Sequence, residues 1–347
     1  MEIRKIQESG ISDKKVLVRA DFNVAVKNGT VKAAFKIKAC QETVEYLLQK
    51  NCQVAVCSHL GRPKGEVNPE FSLGQIKDDI EKILGHKINF VDDCIGEKVS
   101  VGIKNLPVGE ILLLENVRFY PGEEGNDLEF SRKLAENFDV FVNDAFSVCH
   151  RDQSSVTGVA RVLPSYAGLW LQKEIYEMAR VKNHFERPAV AIIGGAKIET
   201  KLPVIQAFEK IYDYVLVGGK IANEAIDQKI TFGEKVLLPT DFVDERLDIG
   251  PETIERYSAI IKTAKTIVWN GPMGKFEEEQ FAVGTKKILE AILASPAFVL
   301  MGGGETLEIL EGNPDMGKIG FVSTGGGAML EYLGGNSMPG IEVLSVS

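Results

Sequence analysis

The stretch Ala189-Val190-Ala191-Ile192-Ile193-Gly194-Gly195-Ala196-Lys197-Ile198-Glu199-Thr200-Lys201 decides how the chain is read. Five apolar residues between Pro188 and a glycine pair predict a strand buried on both faces. Glycine carries no Cβ, so the backbone there can come close to a ligand. Two lysines four apart follow. If their segment is helical, they share one face beside the unpaired N–H groups and the positive dipole end of a first turn. Pro203 is compatible with that, since a first turn tolerates proline. Such an arrangement would hold an anion of the phosphate kind, although the GxxxxGK[ST] spacing of a Walker A loop is absent. Taken alone, the stretch fits a solvated lysine pair after a tight turn equally well.

Recurrence separates the two readings. Val215-Leu216-Val217-Gly218-Gly219-Lys220, Ile267-Val268-Trp269-Asn270-Gly271, Val299-Leu300-Met301-Gly302-Gly303-Gly304-Glu305-Thr306 and Phe321-Val322-Ser323-Thr324-Gly325-Gly326-Gly327 repeat the pattern. Each is an apolar run ending in glycines. In a parallel sheet all strand C-termini reach one edge, where ligands bind.

The first half has the same alternation with different strand ends. The strands around Val16–Val18, Val54–Cys57, Ile111–Leu114 and Val140–Val142 run into Asp21 and Asn23, into His59 and Arg62, into Arg118, and toward His150 and Arg151. Helical spacing joins Cys40, Val44, Leu47 and Leu48, and again Ile76, Ile80, Ile83 and Leu84. Each basic residue alone fits a surface ion pair or a packed loop. Several guanidinium groups on one edge of an acidic protein repel one another unless an anion lies between them, and arginine's planar fork suits carboxylate and phosphate. A site for a small polyanion is expected.

A chain of 347 residues, 44% hydrophobic, is large enough for two domains. The expected fold is α/β, two doubly wound domains with mostly parallel sheets. The first covers 1–170 and the second 188–332. A helix over 171–187, marked by Leu171, Ile175, Met178 and Lys182, joins them, and an irregular strap over 333–347 ends the chain. A net charge of −9 argues against nucleic acid and anionic membranes as partners. Five cysteines without CxxC spacing point to reduced thiols in the cytoplasm, without disulfides or zinc. No signal-peptide core opens the chain, and no apolar run approaches the ~20 residues of a membrane span.

DFNV (21–24), SHLGRP (58–63), LLLENVRFYPGEE (112–124), VNDAF…HR (142–151), GGAK…K (194–201), VWNGPMG.FE (268–277) and STGGGA (323–328) occur in order along essentially the whole chain. Together they resemble the motifs of the phosphoglycerate kinases. The resemblance implies phosphoryl transfer between 1,3-bisphosphoglycerate and ADP, with Mg²⁺, by a cytoplasmic monomer that closes about its connecting helix. It implies that Asp21, Asn23, Lys36, His59, Arg62, Arg118 and Arg151 bind the three-carbon acid. Lys36, Lys197, Gly303 and Gly326 would form the catalytic centre. Gly194, Gly218, Asn270, Gly302, Gly303, Gly304 and Thr306 would surround the nucleotide with Lys197 and Lys201. Glu277 would take the ribose and Glu305 the metal.

Several positions depart from the family pattern. Its catalytic arginine is Lys36, its magnesium-binding aspartate is Glu305, and the aspartate of GGAK-x-x-D-K is Thr200. Lys220 and Arg246 replace small residues of the adenine pocket, and 230–247 is shortened. If both long side chains line that pocket, weaker discrimination between ADP and GDP is expected. A catalytically weak relative serving as sensor or scaffold, and a kinase for another small acid, remain the alternative readings.

Overall fold

The computed structural model describes residues 2–27, 29–32, 34–310 and 317–346. Met1 and Ser347, the outer ends of the expected first domain and strap, lie outside them. The chain divides into two compact units, Met1–Ile175 with Ser337–Ser347, and Tyr176–Asn336.

The first unit is built on six parallel strands in the spatial order Ile88–Val91, Ile111–Leu114, Gln53–Cys57, Lys15–Arg19, Val140–Asn143 and Ser165–Ala167. Alternation along the strands fills two cores. Val16, Val18, Val54, Val56, Ile111, Leu113 and Val142 pack on one face, under helices Gln41–Gln49 and Lys77–Leu84. Leu17, Ala55, Cys57, Leu112, Leu114 and Phe141 pack on the other, against Val99, Ile103, Phe130 and Leu134. Burial on both faces is why these strands read as unbroken apolar runs. Segment 337–346 belongs to this unit. Ile3 bridges Ser345, the Arg4 N–H donates to Leu344 O at 2.9 Å, and its guanidinium donates to Val343 O at 2.7 Å. The tail carries a one-turn helix, Pro339–Glu342, and helix Gly326–Gly334 runs past the point where the irregular strap was expected to begin.

The second unit repeats the plan, with parallel strands in the order Val236–Leu237, Tyr214–Val217, Ala189–Ile193, Thr266–Asn270, Phe298–Gly302 and Phe321–Ser323. All five residues of Ala189–Ile193 are buried. The connecting helix expected from Leu171, Ile175, Met178 and Lys182 is Leu169–Asn183. The segment after the first glycine pair is helical over Ile198–Ile211, but Pro203 is its sixth residue and so lies beyond the first turn. Proline there gives no N–H to the carbonyl of Glu199. Segment 230–247 carries strand Val236–Leu237 and then Phe242–Val243, which pairs in an antiparallel hairpin with Asp248–Ile249 just beyond it.

Candidate active site

In the first unit the C-terminal edge gathers every residue expected for the acid. Lys15–Arg19 leads into Asp21 and Asn23, Gln53–Cys57 into His59 and Arg62, Ile111–Leu114 into Arg118, and Val140–Asn143 into the loop bearing Arg151. Hydrogen bonds stitch these loops together. Ser58 Oγ donates to Ala20 O at 2.7 Å and accepts from Phe22 N at 2.8 Å, while Asn23 Oδ1 accepts from Gly61 N at 2.9 Å. Asn116 Oδ1 accepts from Arg118 N at 3.0 Å, and its amide donates to Leu60 O at 2.7 Å.

Charge is unevenly satisfied across this edge. Lys36, in the short helix Phe35–Ala39, lies with Nζ 2.9 Å from Asp21 Oδ2 and donates to Asn23 O at 3.4 Å. Burial raises the Asp21 pKa, but its neighbours, the Lys36 ammonium foremost, outweigh it and hold the carboxyl well below the usual range. Arg118 is 3% exposed; Nη1 donates to Gly61 O at 2.9 Å, whereas Nε and Nη2 have no hydrogen-bond partner among the described residues. Burial, then Arg151 and Arg19, lower its pKa from 12.5 to about 10. Arg151, lowered by burial and by Arg62, donates from Nε to His150 Nε2 at 3.1 Å. Glu124 Oε1 stands 3.6 Å from Arg118 Nε as an ion-pair partner, while Nη2 faces no acceptor among the described residues. A buried guanidinium only partly satisfied and crowded by like charge describes an anion site.

The second unit's strand ends line two cavities. One, of about 380 Å³, is bounded by Lys197, Lys201, Asn270, Gly303, Gly304, Glu305, Thr306 and Gly326, together with Ala196 and Thr200. Lys197 is the N-cap of helix Ile198–Ile211 and stands exposed, while Lys201, one turn on, donates from Nζ to Asn270 Oδ1. Burial lowers the Lys201 pKa to about 8, against the opposing pull of Glu305. Gly303 has φ +119°, which an L side chain rarely adopts. Cβ atoms at Gly304 and Gly327 would meet open space. Helix Gly326–Gly334 begins here, with first-turn N–H groups that its own carbonyls cannot reach.

The second cavity, of about 290 Å³, shares Gly195, Ala196 and Glu305 with the first and is closed by Gly219, Lys220, Asn223, Arg246, Leu247 and Glu277. Lys220 and Arg246 both line it, yet Lys220 Nζ lies 3.8 Å from Glu224 and Arg246 Nη1 lies 2.7 Å from Asp227. The expected glycines divide by role. Gly194 N donates to Asn270 O at 2.8 Å and Gly218 N to Ile193 O at 3.0 Å, so neither amide is left for a ligand. A Cβ at Gly194 would stand 1.9 Å from Pro272 O, and one at Gly302 would stand 2.6 Å from Met329 Sδ. Gly194, Gly218 and Gly302 therefore let neighbouring backbones and side chains pack beneath the cavities. The sequence reading missed Arg19, Ala196, Asn223 and Leu247. For Arg19 a signal existed, an arginine closing an otherwise apolar buried strand.

A parallel sheet edge of buried cations and a second edge of glycines and lysines define a phosphotransferase of two α/β units. The description "Phosphoglycerate kinase" matches residues 6–245 and 236–336, and the two pieces overlap in the shortened region. A phosphoglycerate kinase of Moorella thermoacetica is 40% identical over 386 aligned positions, 98% of each chain. One from Borrelia duttonii is 36% identical over the whole of both chains. Among solved structures, phosphoglycerate kinase from Pyrococcus horikoshii superposes with a TM-score of 0.89 at 29% identity, and that from Coxiella burnetii with 0.81 at 31%; each covers 99% of this chain and 98% of its own. The chain belongs to the phosphoglycerate kinase family.

Proposed function

We propose that the chain transfers a phosphoryl group between 1,3-bisphosphoglycerate and ADP, giving 3-phosphoglycerate and ATP. The observation that carries this reading is the buried Arg118, whose Nη2 faces no acceptor among the described residues, at an edge shared with Asp21, Lys36, His59, Arg62 and Arg151. Arg62, Arg118 and Arg151 bind the remote phosphate, and Asp21 and Asn23 orient the three-carbon backbone. Lys36 offers one positive charge toward the reacting carboxyl end while its ammonium is steadied by Asp21. On the second unit Lys197 and Lys201 bind the phosphates, helped by backbone N–H groups at Gly303, Gly304 and Gly326, and Glu277 holds the ribose. Phosphoryl transfer leaves a protein little covalent work, so positioning and charge stabilisation supply the rate.

A magnesium ion fits the second unit in one particular mode. Among the described residues no group of three or more His, Cys, Asp or Glu forms a self-sufficient cation site. Among the described residues lining the 380 Å³ cavity Glu305 is the one carboxylate, and burial, with repulsion from Glu277 and Glu308, raises its pKa against the pull of Lys201. Mg²⁺ commonly takes one or two carboxylates with substrate phosphates completing its shell. It would neutralise phosphate charge during transfer.

All five cysteines are free and buried, which suits a reducing cytoplasm. No described helix is long and apolar enough to cross a membrane. The test is calorimetry with 3-phosphoglycerate alone and with ADP and Mg²⁺ alone. Each is expected to bind without the other, and 3-phosphoglycerate affinity should weaken as salt rises. Failure of 3-phosphoglycerate to bind would remove the acid-site reading.

A further inference from the structure

Arg19 closes the strand Lys15–Arg19 and is fully buried, though it belongs to none of the motifs that mark the acid site. Its Nε donates to Ser155 Oγ at 2.9 Å, its Nη1 donates to Ala20 O, and its Nη2 lies 3.0 Å from His59 Nδ1. A guanidinium has donors only, so His59 Nδ1 must be the acceptor and carry a lone pair. A neutral ring bonded this way holds its proton on Nε2. Protonating Nδ1 would set one N–H against another.

The surroundings act in the same direction. The ring is 4% exposed, and burial, then Arg19, Arg118 and Lys36 disfavour its cation, against Asp21, which favours it. Arg19 is anchored from behind. Ser155 Oγ donates to Glu123 Oε1 at 2.6 Å and Ser155 N donates to Glu123 Oε2 at 2.8 Å, with Glu123 itself fully buried. The chain Glu123–Ser155–Arg19–His59 thus runs from a buried carboxylate to the acid site, every link of it a donor facing an acceptor.

We propose that Arg19 is a positioning residue: its guanidinium locks His59 as the neutral tautomer protonated on Nε2, so the ring serves the acid site as one fixed N–H donor and never as a titrating cation. This rests on the reading of that edge as the acid site. An ordinary histidine changes charge near pH 6.5, which would make polyanion binding vary with modest changes in pH. With the lock in place the site's positive charge stays on its arginines and lysine.

The test is histidine ¹⁵N NMR on the full chain, which has only four histidines, with His59→Gln to assign the ring. The expected result is an unprotonated Nδ1 and a protonated Nε2, both unmoved between about pH 5.5 and 8.5, where free histidine titrates. Adding 3-phosphoglycerate should shift the Nε2 signal. Arg19→Lys keeps the charge but loses the fork. It should let His59 titrate within that range and raise KM for 3-phosphoglycerate about tenfold or more, leaving KM for ADP unchanged. An Nδ1–H tautomer, or a wild-type midpoint inside that range, overturns the proposal without recourse to any variant. So does an Nε2 signal that stays still while calorimetry shows 3-phosphoglycerate bound. Absence of 3-phosphoglycerate binding overturns the underlying acid-site reading instead, while the tautomer signal reports separately on the Arg19 contact.

Discussion

Replacing Arg118 by methionine should weaken ligand binding while leaving the empty protein about as stable as before. Burial and neighbouring cations lower the Arg118 pKa from 12.5 to about 10, and each pH unit corresponds to about 1.4 kcal/mol. Even with Glu124 3.6 Å from Nε, holding the charge in the empty site therefore costs about 3 kcal/mol. Methionine removes that cost and keeps most of the buried volume, but it gives up the charged hydrogen bond to Gly61 O, worth about 1.5–3 kcal/mol. The two terms nearly cancel, so the unliganded first unit should keep its stability to within about 2 kcal/mol. Truncating a buried charge that pairs with a ligand costs about 2–5 kcal/mol, so 3-phosphoglycerate should bind at least about thirtyfold more weakly. Urea unfolding without ligand and calorimetry with it measure the two effects. A variant that binds within threefold of wild type, or whose empty form loses more than about 2 kcal/mol, would refute the reasoning.

Lys36→Arg should raise kcat by about tenfold, because a fork can keep Asp21 and still present another N–H; an unchanged or lower kcat in steady-state kinetics would mean the site is built around lysine. Burial places the Lys201 pKa near 8, and a bound phosphate favours its charged form. ADP affinity should therefore be full below pH 8 and fall as pH rises above it, as read by calorimetry from pH 7 to 10. Asp144 is buried, and burial raises its pKa from 3.8 to about 6. The native state then binds the extra proton between those values, so this residue's contribution to stability declines as pH rises from about 4 to 6 and levels off above. Asp144→Asn should gain about 3 kcal/mol relative to wild type across that window, and a stability difference flat with pH would contradict it.

The strands buried on both faces were legible because their alternate residues serve two cores and leave unbroken apolar runs, as at Ile111–Leu114. Strand Ile88–Val91 escaped notice because it is an edge strand, only partly buried and interrupted by Asn89. Helix Glu97–Lys104 buries only Val99 and Ile103, too few positions to set a period. Phe281 is buried in a 3₁₀ turn before Val283–Ala294, so an apolar residue seven before Ile288 does not mark the start of that helix.

Among site residues, the basic strand ends could be located from sequence because a parallel sheet delivers its C-termini to one edge. What each atom does there depended on contacts between loops distant in sequence. Gly194 and Gly303 look alike in the sequence, yet one has its amide bonded to Asn270 O and the other turns through φ +119° at the cavity wall. The directions of Lys220 and Arg246 depend on Glu224, one helical turn on, and on Asp227, nineteen residues away in sequence. Both cations keep further N–H donors while lining the 290 Å³ cavity, so relaxed base selection stays a matter for kinetics with ADP and GDP.

Turnover tests the central claim most directly. A coupled assay of the purified chain with 3-phosphoglycerate, ATP and Mg²⁺ should show phosphoryl transfer that Lys197→Ala lowers by about 10²–10³, the usual cost of one well-placed donor to the transition state. Activity no greater than that of the Lys197→Ala variant would contradict the account.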